Sequence, residues 1–179
     1  MSNTQLIIDD SGEIRSIYHK THLYALENPL DLNENDFVEA GNEIVEPVDT
    51  PIGRIGLSIC FDLRFPSFYR SLALRGAQIL TVPSAFLHQT GEPHWEVLLR
   101  ARAIENQCYV IAAAQVGSHS PTRRSYGHSM VIDPWGKVIA NMYEETGVCV
   151  AEIDLDYLDE VKGYQNIMRL ARSDLYTEV

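Results

Sequence analysis

The 179 residues match the size of one average domain, and 45% of them are hydrophobic, enough to bury a core and to exclude a disordered or disulfide-stapled miniprotein. Lys and Arg number 14 against 25 Asp and Glu, a formal charge of -11, so nucleic acid would meet net repulsion; the densest basic spot, Arg123-Arg124, reads as solvated surface. No apolar run nears the ~20 residues of a membrane span, the N-terminus lacks a secretory pattern, and three scattered cysteines (Cys60, Cys108, Cys149) without a CxxC pair fit a reducing, by default cytosolic, setting and no zinc site.

Leu6–Ile8, the turn Asp9-Asp10-Ser11-Gly12 and Ile14–Tyr18 predict a hairpin. The chain opens directly on it, which fits either a native edge strand or a sheet that has lost neighbours. Residues 21–43 are a long polar stretch of the kind that covers a functional surface. The turn Thr50–Gly53 leads into a buried strand, Arg54–Cys60. Pro66 opens a helix carrying Phe68, Leu72 and Leu74 that stops at Gly76. A strand over Gln78–Val82, a helix from about Pro93 to Asn106 and a strand over Cys108–Gln115 complete a β-α-β-α-β alternation. After a loop, Val116–Gly127, strands are expected at Ser129–Asp133, Lys137–Asn141 and Val148–Ile153. A short helix near Asp156–Lys162 and a polar tail, about residues 164–179, end one α/β domain.

In parallel α/β sheets ligands bind outside the carboxyl ends of strands, and Cys60 stands at such an end shortly before the helix at Pro66. A thiol near a helix N-terminus is pushed towards thiolate, and the Phe61 N–H just after it suits a developing oxyanion. The competing reading is a Cys simply packed at the end of an apolar strand. Six histidines exist (His19, His22, His88, His94, His119, His128), and spacing singles out none as a Cys activator. A Cys-Lys-Glu arrangement is the alternative, with Lys20 closing the hairpin; a lone Lys is otherwise ordinary solvated surface.

The segments YHKTHLY (18–24), ICFDLRFP (59–66), PSAF (83–86), HWEVLLRARAIENQCYV (94–110) and YGHSMVIDPWGKVIA (126–140) resemble the nitrilase, or carbon-nitrogen hydrolase, superfamily, and within it the Nit branch of amidases acting on deaminated glutathione. The match is collinear and runs through nearly the whole chain. The resemblance implies an α/β fold that is part of a four-layer α-β-β-α sandwich, and a Glu-Lys-Cys triad. Cys60 matches the nucleophile and Lys20 the triad lysine. A second glutamate of the family, which places the lysine and substrate, matches Glu34 best, with Glu27 and Glu39 as alternatives. No residue matches the general-base glutamate, which in the family precedes the lysine by a β-α unit. The chain is therefore expected to be an N-terminally incomplete carbon-nitrogen hydrolase domain.

The implied reaction is hydrolysis of a non-peptide amide through a Cys thioester, with no metal or organic cofactor. Arg64, one turn beyond Cys60, suits a substrate carboxylate, with an ion pair to Asp62 or another acid as the equal alternative. Phe86 and Thr90, at the same strand ends, are expected to line the pocket. Together with the Nit resemblance these residues favour a carboxylate-bearing amide such as a 2-oxo acid ω-amide or deaminated glutathione. The family also implies a homodimer or larger homo-oligomer. A truncated, inactive binding or dimerising protein is the runner-up, and a His-dependent Cys hydrolase has no matching histidine.

Overall fold

The computed structural model describes residues 1–25 and 33–175. Strands β1 (Thr4–Ile8) and β2 (Ile14–His19) form the antiparallel hairpin that the sequence predicts. Its turn is held by the Asp9 carboxylate, which accepts from the Ser11 and Glu13 N–H groups at 3.0 Å each, while Gly12 supplies φ 85. Strands β3 (Val48–Thr50) and β4 (Gly53–Leu57) pair antiparallel across the next turn. Helix α1 (Pro66–Leu74) starts on its proline and stops before Gly76, whose φ of 91 suits a residue without Cβ.

Strand β5 (Ile79–Thr81), helix α2 (His88–Asn106) and strand β6 (Tyr109–Ala112) follow. The hairpin β7 (Val116–Ser120) and β8 (Arg123–Tyr126) leads to β9 (Met130–Ile132) and β10 (Val138–Asn141). Helix α3 (Leu155–Tyr164), capped by Asp154 accepting from the Tyr157 N–H at 3.0 Å, precedes α4 (Ile167–Leu170) in the tail. The order in the main sheet is β10-β9-β6-β5-β4-β3, with β4, β5 and β6 parallel and the other pairs antiparallel. This is a mixed α/β fold.

Register fixes what lies on each side of that sheet. Gly56 faces α1, since a Cβ there would meet Ala77 and Leu72 at 3.2 and 3.3 Å. Gly56 pairs with Leu80, so the neighbouring Thr81 faces the other side, where Gln5 of β1 donates to its hydroxyl at 2.8 Å. Ile79, Leu80, Leu99, Val110 and Ile132, all fully buried, make the centre of the core.

Three expectations are corrected. Helix α2 begins at His88, not at Pro93; its extra turn is anchored by the Thr90 and Gly91 N–H groups on Leu87 O at 3.2 and 2.7 Å. Gly91 lets that turn close on Tyr126, whose Cβ would lie 2.4 Å from an added Cβ. The segment expected as a loop over 116–127 contains β7 and β8, polar and mostly exposed strands with no apolar alternation to reveal them. Val148–Ile153 forms no strand among the described residues, and Val148 and Val150 stand 89% and 88% exposed. A β-rich composition makes a strand only where a neighbour offers hydrogen bonds.

Candidate active site

The turn after β4 builds the centre. Cys60 has φ 49, a left-handed backbone uncommon outside glycine, and its N–H donates to Pro83 O at 3.0 Å, tying the elbow to the end of the neighbouring strand. It opens a 3-10 turn, Cys60–Arg64, and α1 begins only at Pro66. The dipole expected to act on Cys60 is thus weaker than the sequence implied, because such an effect fades within one turn. The local groups remain: the Phe61 N–H has no acceptor among the described residues and lies beside the sulfur-bearing residue.

Lys20 follows β2 and is 1% exposed. Its ammonium donates to the Glu34 carboxylate at 2.5 Å, and the same oxygen accepts the Tyr24 N–H at 2.7 Å. Among the described residues Glu34 is therefore the carboxylate that meets Lys20; Glu39 is exposed, and Glu27 lies outside the described residues. Cys60, Lys20 and Glu34 line one cleft of about 850 Å³ together with Phe61, Arg64, Phe86 and Thr90. Burial pushes the Cys60 thiol up. The Lys20 ammonium, the Ala85 N–H and the Ser84 hydroxyl pull the other way without overcoming it, and Glu34 adds to the rise.

Arg64 makes no ion pair among the described residues. Its guanidinium carbon stands 5.9 Å from the Phe61 ring centre and 5.3 Å from that of Phe86, and its nitrogens reach only His94 Nδ1 at 3.4 and 3.5 Å. The alternative of an Arg64–Asp62 pair is overturned, because neutral groups and His22 occupy the buried Asp62 carboxylate. Phe86 is 4% exposed and packs on Trp95 with ring centres 5.0 Å apart, so it is core first and cleft wall second. The Thr90 hydroxyl caps back onto Leu87 O at 3.4 Å.

Sequence reasoning missed Tyr24, Ser84 and Gln115, which also line the cleft. Tyr24 stands out only in space: its ring meets Phe61 edge-on at 5.1 Å. Among the described residues no group of His, Cys, Asp and Glu is arranged to hold a metal ion.

The carbon-nitrogen hydrolase family model matches residues 1–163. Deaminated glutathione amidase of Mus musculus is 49% identical over 176 residues, covering 97% of this chain and 54% of that protein. The crystal structure of the C. elegans NitFhit protein superposes with a TM-score of 0.94 at 57% identity, covering 98% of this chain and 43% of that one. A mutant amidase from Nesterenkonia sp., crystallised with the acetamide moiety of fluoroacetamide added covalently to its active-site cysteine, matches 96% of this chain and 59% of its own at 26% identity and a TM-score of 0.79. The chain thus spans about half the length of the curated relatives it matches. Motifs, fold and relatives agree: this chain belongs to the carbon-nitrogen hydrolase family, in the Nit branch of the nitrilase superfamily.

Proposed function

We propose that Cys60 is the nucleophile of an amidase site and Lys20 its oxyanion partner, and that the complete site cleaves the carbon–nitrogen bond of a carboxylate-bearing amide. The carrying observation is the left-handed Cys60 elbow in the same cleft as the buried Lys20–Glu34 pair. The covalently modified cysteine of the Nesterenkonia amidase and the deaminated glutathione amidases among the relatives support it. Thiolate attack on the amide carbon forms a C–S bond, and the carbonyl electrons move to oxygen. The Phe61 N–H and the Lys20 ammonium stabilise that oxyanion. The C–N bond breaks, nitrogen takes the proton that the Cys60 thiol gave up and leaves as ammonia or an amine, and a thioester remains. Water then attacks the thioester, giving the carboxylic acid and the free thiol.

Arg64 takes the substrate carboxylate, with Phe86 and Thr90 shaping its surroundings. Deaminated glutathione or a 2-oxo acid ω-amide satisfies these demands. Glu34 positions Lys20, and no residue of this sequence matches the general base. With burial holding the Cys60 thiol protonated, this chain by itself turns over amides at background. Ammonia release from a 2-oxo acid ω-amide tests both halves. Turnover by the unmutated chain that Cys60→Ala abolishes overturns the inactivity, and turnover that survives Cys60→Ala overturns the nucleophile.

A second reading rests on an apolar row. Leu6 pairs with Ile17 and Ile8 with Ile14 on one face of the hairpin, and these four side chains are 43–56% exposed. In a four-layer α-β-β-α sandwich the hairpin belongs to an inner layer, and such a row is covered by protein. A non-catalytic, dimerising chain covers it with its own copy. Light scattering distinguishes the cases: a discrete dimer favours the binding reading, and polydisperse aggregate counts against it. Cytosol remains the default for so acidic a chain, and cell fractionation tests it.

A further inference from the structure

The Asp62 carboxylate is fully buried and has no Lys or Arg partner among the described residues. One oxygen accepts the Tyr18 hydroxyl at 2.7 Å and the Ile59 N–H at 2.8 Å. The other meets His22 Nδ1 at 2.8 Å, the His22 N–H at 3.2 Å and the Thr21 hydroxyl at 3.3 Å. Four of these five contacts come from residues within two positions of Lys20. The fifth comes from the residue before Cys60, and Asp62 itself lies two residues after it. The His22 ring is further fixed by stacking on Phe65, with centres 3.7 Å apart and planes 13° apart.

We infer that Asp62 is the positioning residue of this site: its carboxylate clamps the Lys20 segment to the Cys60 turn and so sets the ammonium against the sulfur. The inference rests on the proposed pairing of Lys20 with Cys60. The backbone alone does not fix that geometry, because Lys20 hangs on the end of a two-stranded hairpin while Cys60 sits on the main sheet. The links between the two are the hydrogen bonds to Asp62 and ring contacts such as His22 on Phe65 and Tyr24 on Phe61, and of these the buried carboxylate that accepts several hydrogen bonds is the stiff joint. Asp62 touches neither reacting atom; it acts through where it holds Lys20.

The test is the alkylation rate of Cys60 by iodoacetamide across pH, read by peptide mass spectrometry on the full 179-residue chain, with exposed Cys149 as internal reference. The midpoint of the pH profile reports thiolate stability, whereas altered access scales the whole curve and leaves the midpoint in place. Lys20→Met removes the cation that favours thiolate and slows Cys60 about tenfold at pH 8. Asp62→Asn slows it about threefold to tenfold and moves the midpoint up. It adds less than about twofold in the Lys20→Met background, because the two act on one interaction. Tyr18→Phe, which keeps the buried ring and removes one of the five contacts, slows Cys60 about twofold by the same route.

The direct effect of deleting a buried negative charge has the opposite sign, since it eases ionisation of a nearby thiol. An Asp62→Asn chain that alkylates as fast as the parent or faster overturns the inference, and so does an equal slowing in both Lys20 backgrounds. Should circular dichroism show Asp62→Asn unfolded, Tyr18→Phe with and without Lys20→Met decides by the same criteria. Lys20→Met leaving Cys60 unchanged is a different failure: it removes the underlying pairing of Lys20 with Cys60, and the clamp then has nothing to position.

Discussion

Replacing Glu34 by Gln isolates what the Lys20–Glu34 contact contributes. The amide keeps a carbonyl oxygen for the Tyr24 N–H, which now donates at 2.7 Å, and changes the volume little. What it removes is the negative charge beside an ammonium that is 1% exposed. Leaving one partner of a buried ion pair uncompensated costs about 3–5 kcal/mol. The Glu34 side chain is 18% exposed, so water reaches that end of the pair and the low end, about 3 kcal/mol, applies. For a chain of this size each kcal/mol moves the melting midpoint by about 2–4 °C, so Glu34→Gln lowers it by about 6–12 °C. Lys20→Met fills similar space without burying a charge and costs about 1 kcal/mol or less, since Glu34 keeps the Tyr24 N–H and some water. Combining the two returns most of the loss. Thermal denaturation at pH 7 followed by circular dichroism measures all three. A Glu34→Gln midpoint no lower than that of Lys20→Met refutes the reasoning, because the larger penalty comes only from a stranded buried cation.

Three further outcomes follow from the same geometry. A thiol whose ionisation is displaced upwards holds its proton through the neutral range, so Cys60 alkylates at least about tenfold more slowly than Cys149 at pH 7.5 and its rate keeps climbing as pH passes the ordinary thiol range; a plateau at neutral pH contradicts this. A dicarboxylate such as 2-oxoglutarate protects Cys60 from the reagent, and Arg64→Ala raises the concentration needed for half protection by about tenfold or more, with Arg64→Lys between the two; equal protection in all three chains removes Arg64 from carboxylate binding. Gly41→Ala places a Cβ at 2.1 Å from the backbone oxygen of His19, in the strand end that carries Lys20. That overlap destabilises the chain by about 1–3 kcal/mol, seen in urea denaturation, and an unchanged midpoint contradicts the close approach.

The elements that the sequence revealed are those whose cause is local or whose pattern is apolar. Pro66 and Gly76 bound α1 because one pre-sets the first helical turn and the other stops it with positive φ. The buried strands at 79–81 and 109–112 are apolar runs between turn signals. The failures share another cause. Pro93 looks like a helix start, yet α2 continues N-terminally because Gly91 fits beneath Tyr126, a contact 35 residues away in sequence. The strands β7 and β8 are held by pairing with each other and by the Leu87–Ser125 bridge, neither of which leaves an apolar period. Val148–Ile153 shows the converse, a strand composition with no partner among the described residues.

The site divides along the same line. Cys60 and Lys20 were legible because short motifs carry them, but the backbone strain at Cys60 was not, since nothing in Ile59-Cys60-Phe61 announces a left-handed turn. Glu34 was reachable only by counting back from Ala40-Gly41, and among the described residues it is the glutamate in contact with Lys20. Asp62 was visible as a possible partner for Arg64 and turned out to serve the opposite purpose, as acceptor for Tyr18, Thr21, His22 and Ile59. That exchange matters for the chemistry. With Asp62 engaged elsewhere, Arg64 has no ion-pair partner among the described residues and stands between two aromatic rings, which suits the carboxylate binding proposed for it. Lys20, by contrast, is already paired with Glu34, which shares the charge that Cys60 needs. Burial then outweighs the cation at the sulfur, and the thiol stays protonated until a base takes the proton. In the proposed reading the cleft therefore separates two tasks: Cys60, Lys20 and Arg64 line it as nucleophile, oxyanion partner and carboxylate-binding cation, while ionising the buried thiol is the work of a general base.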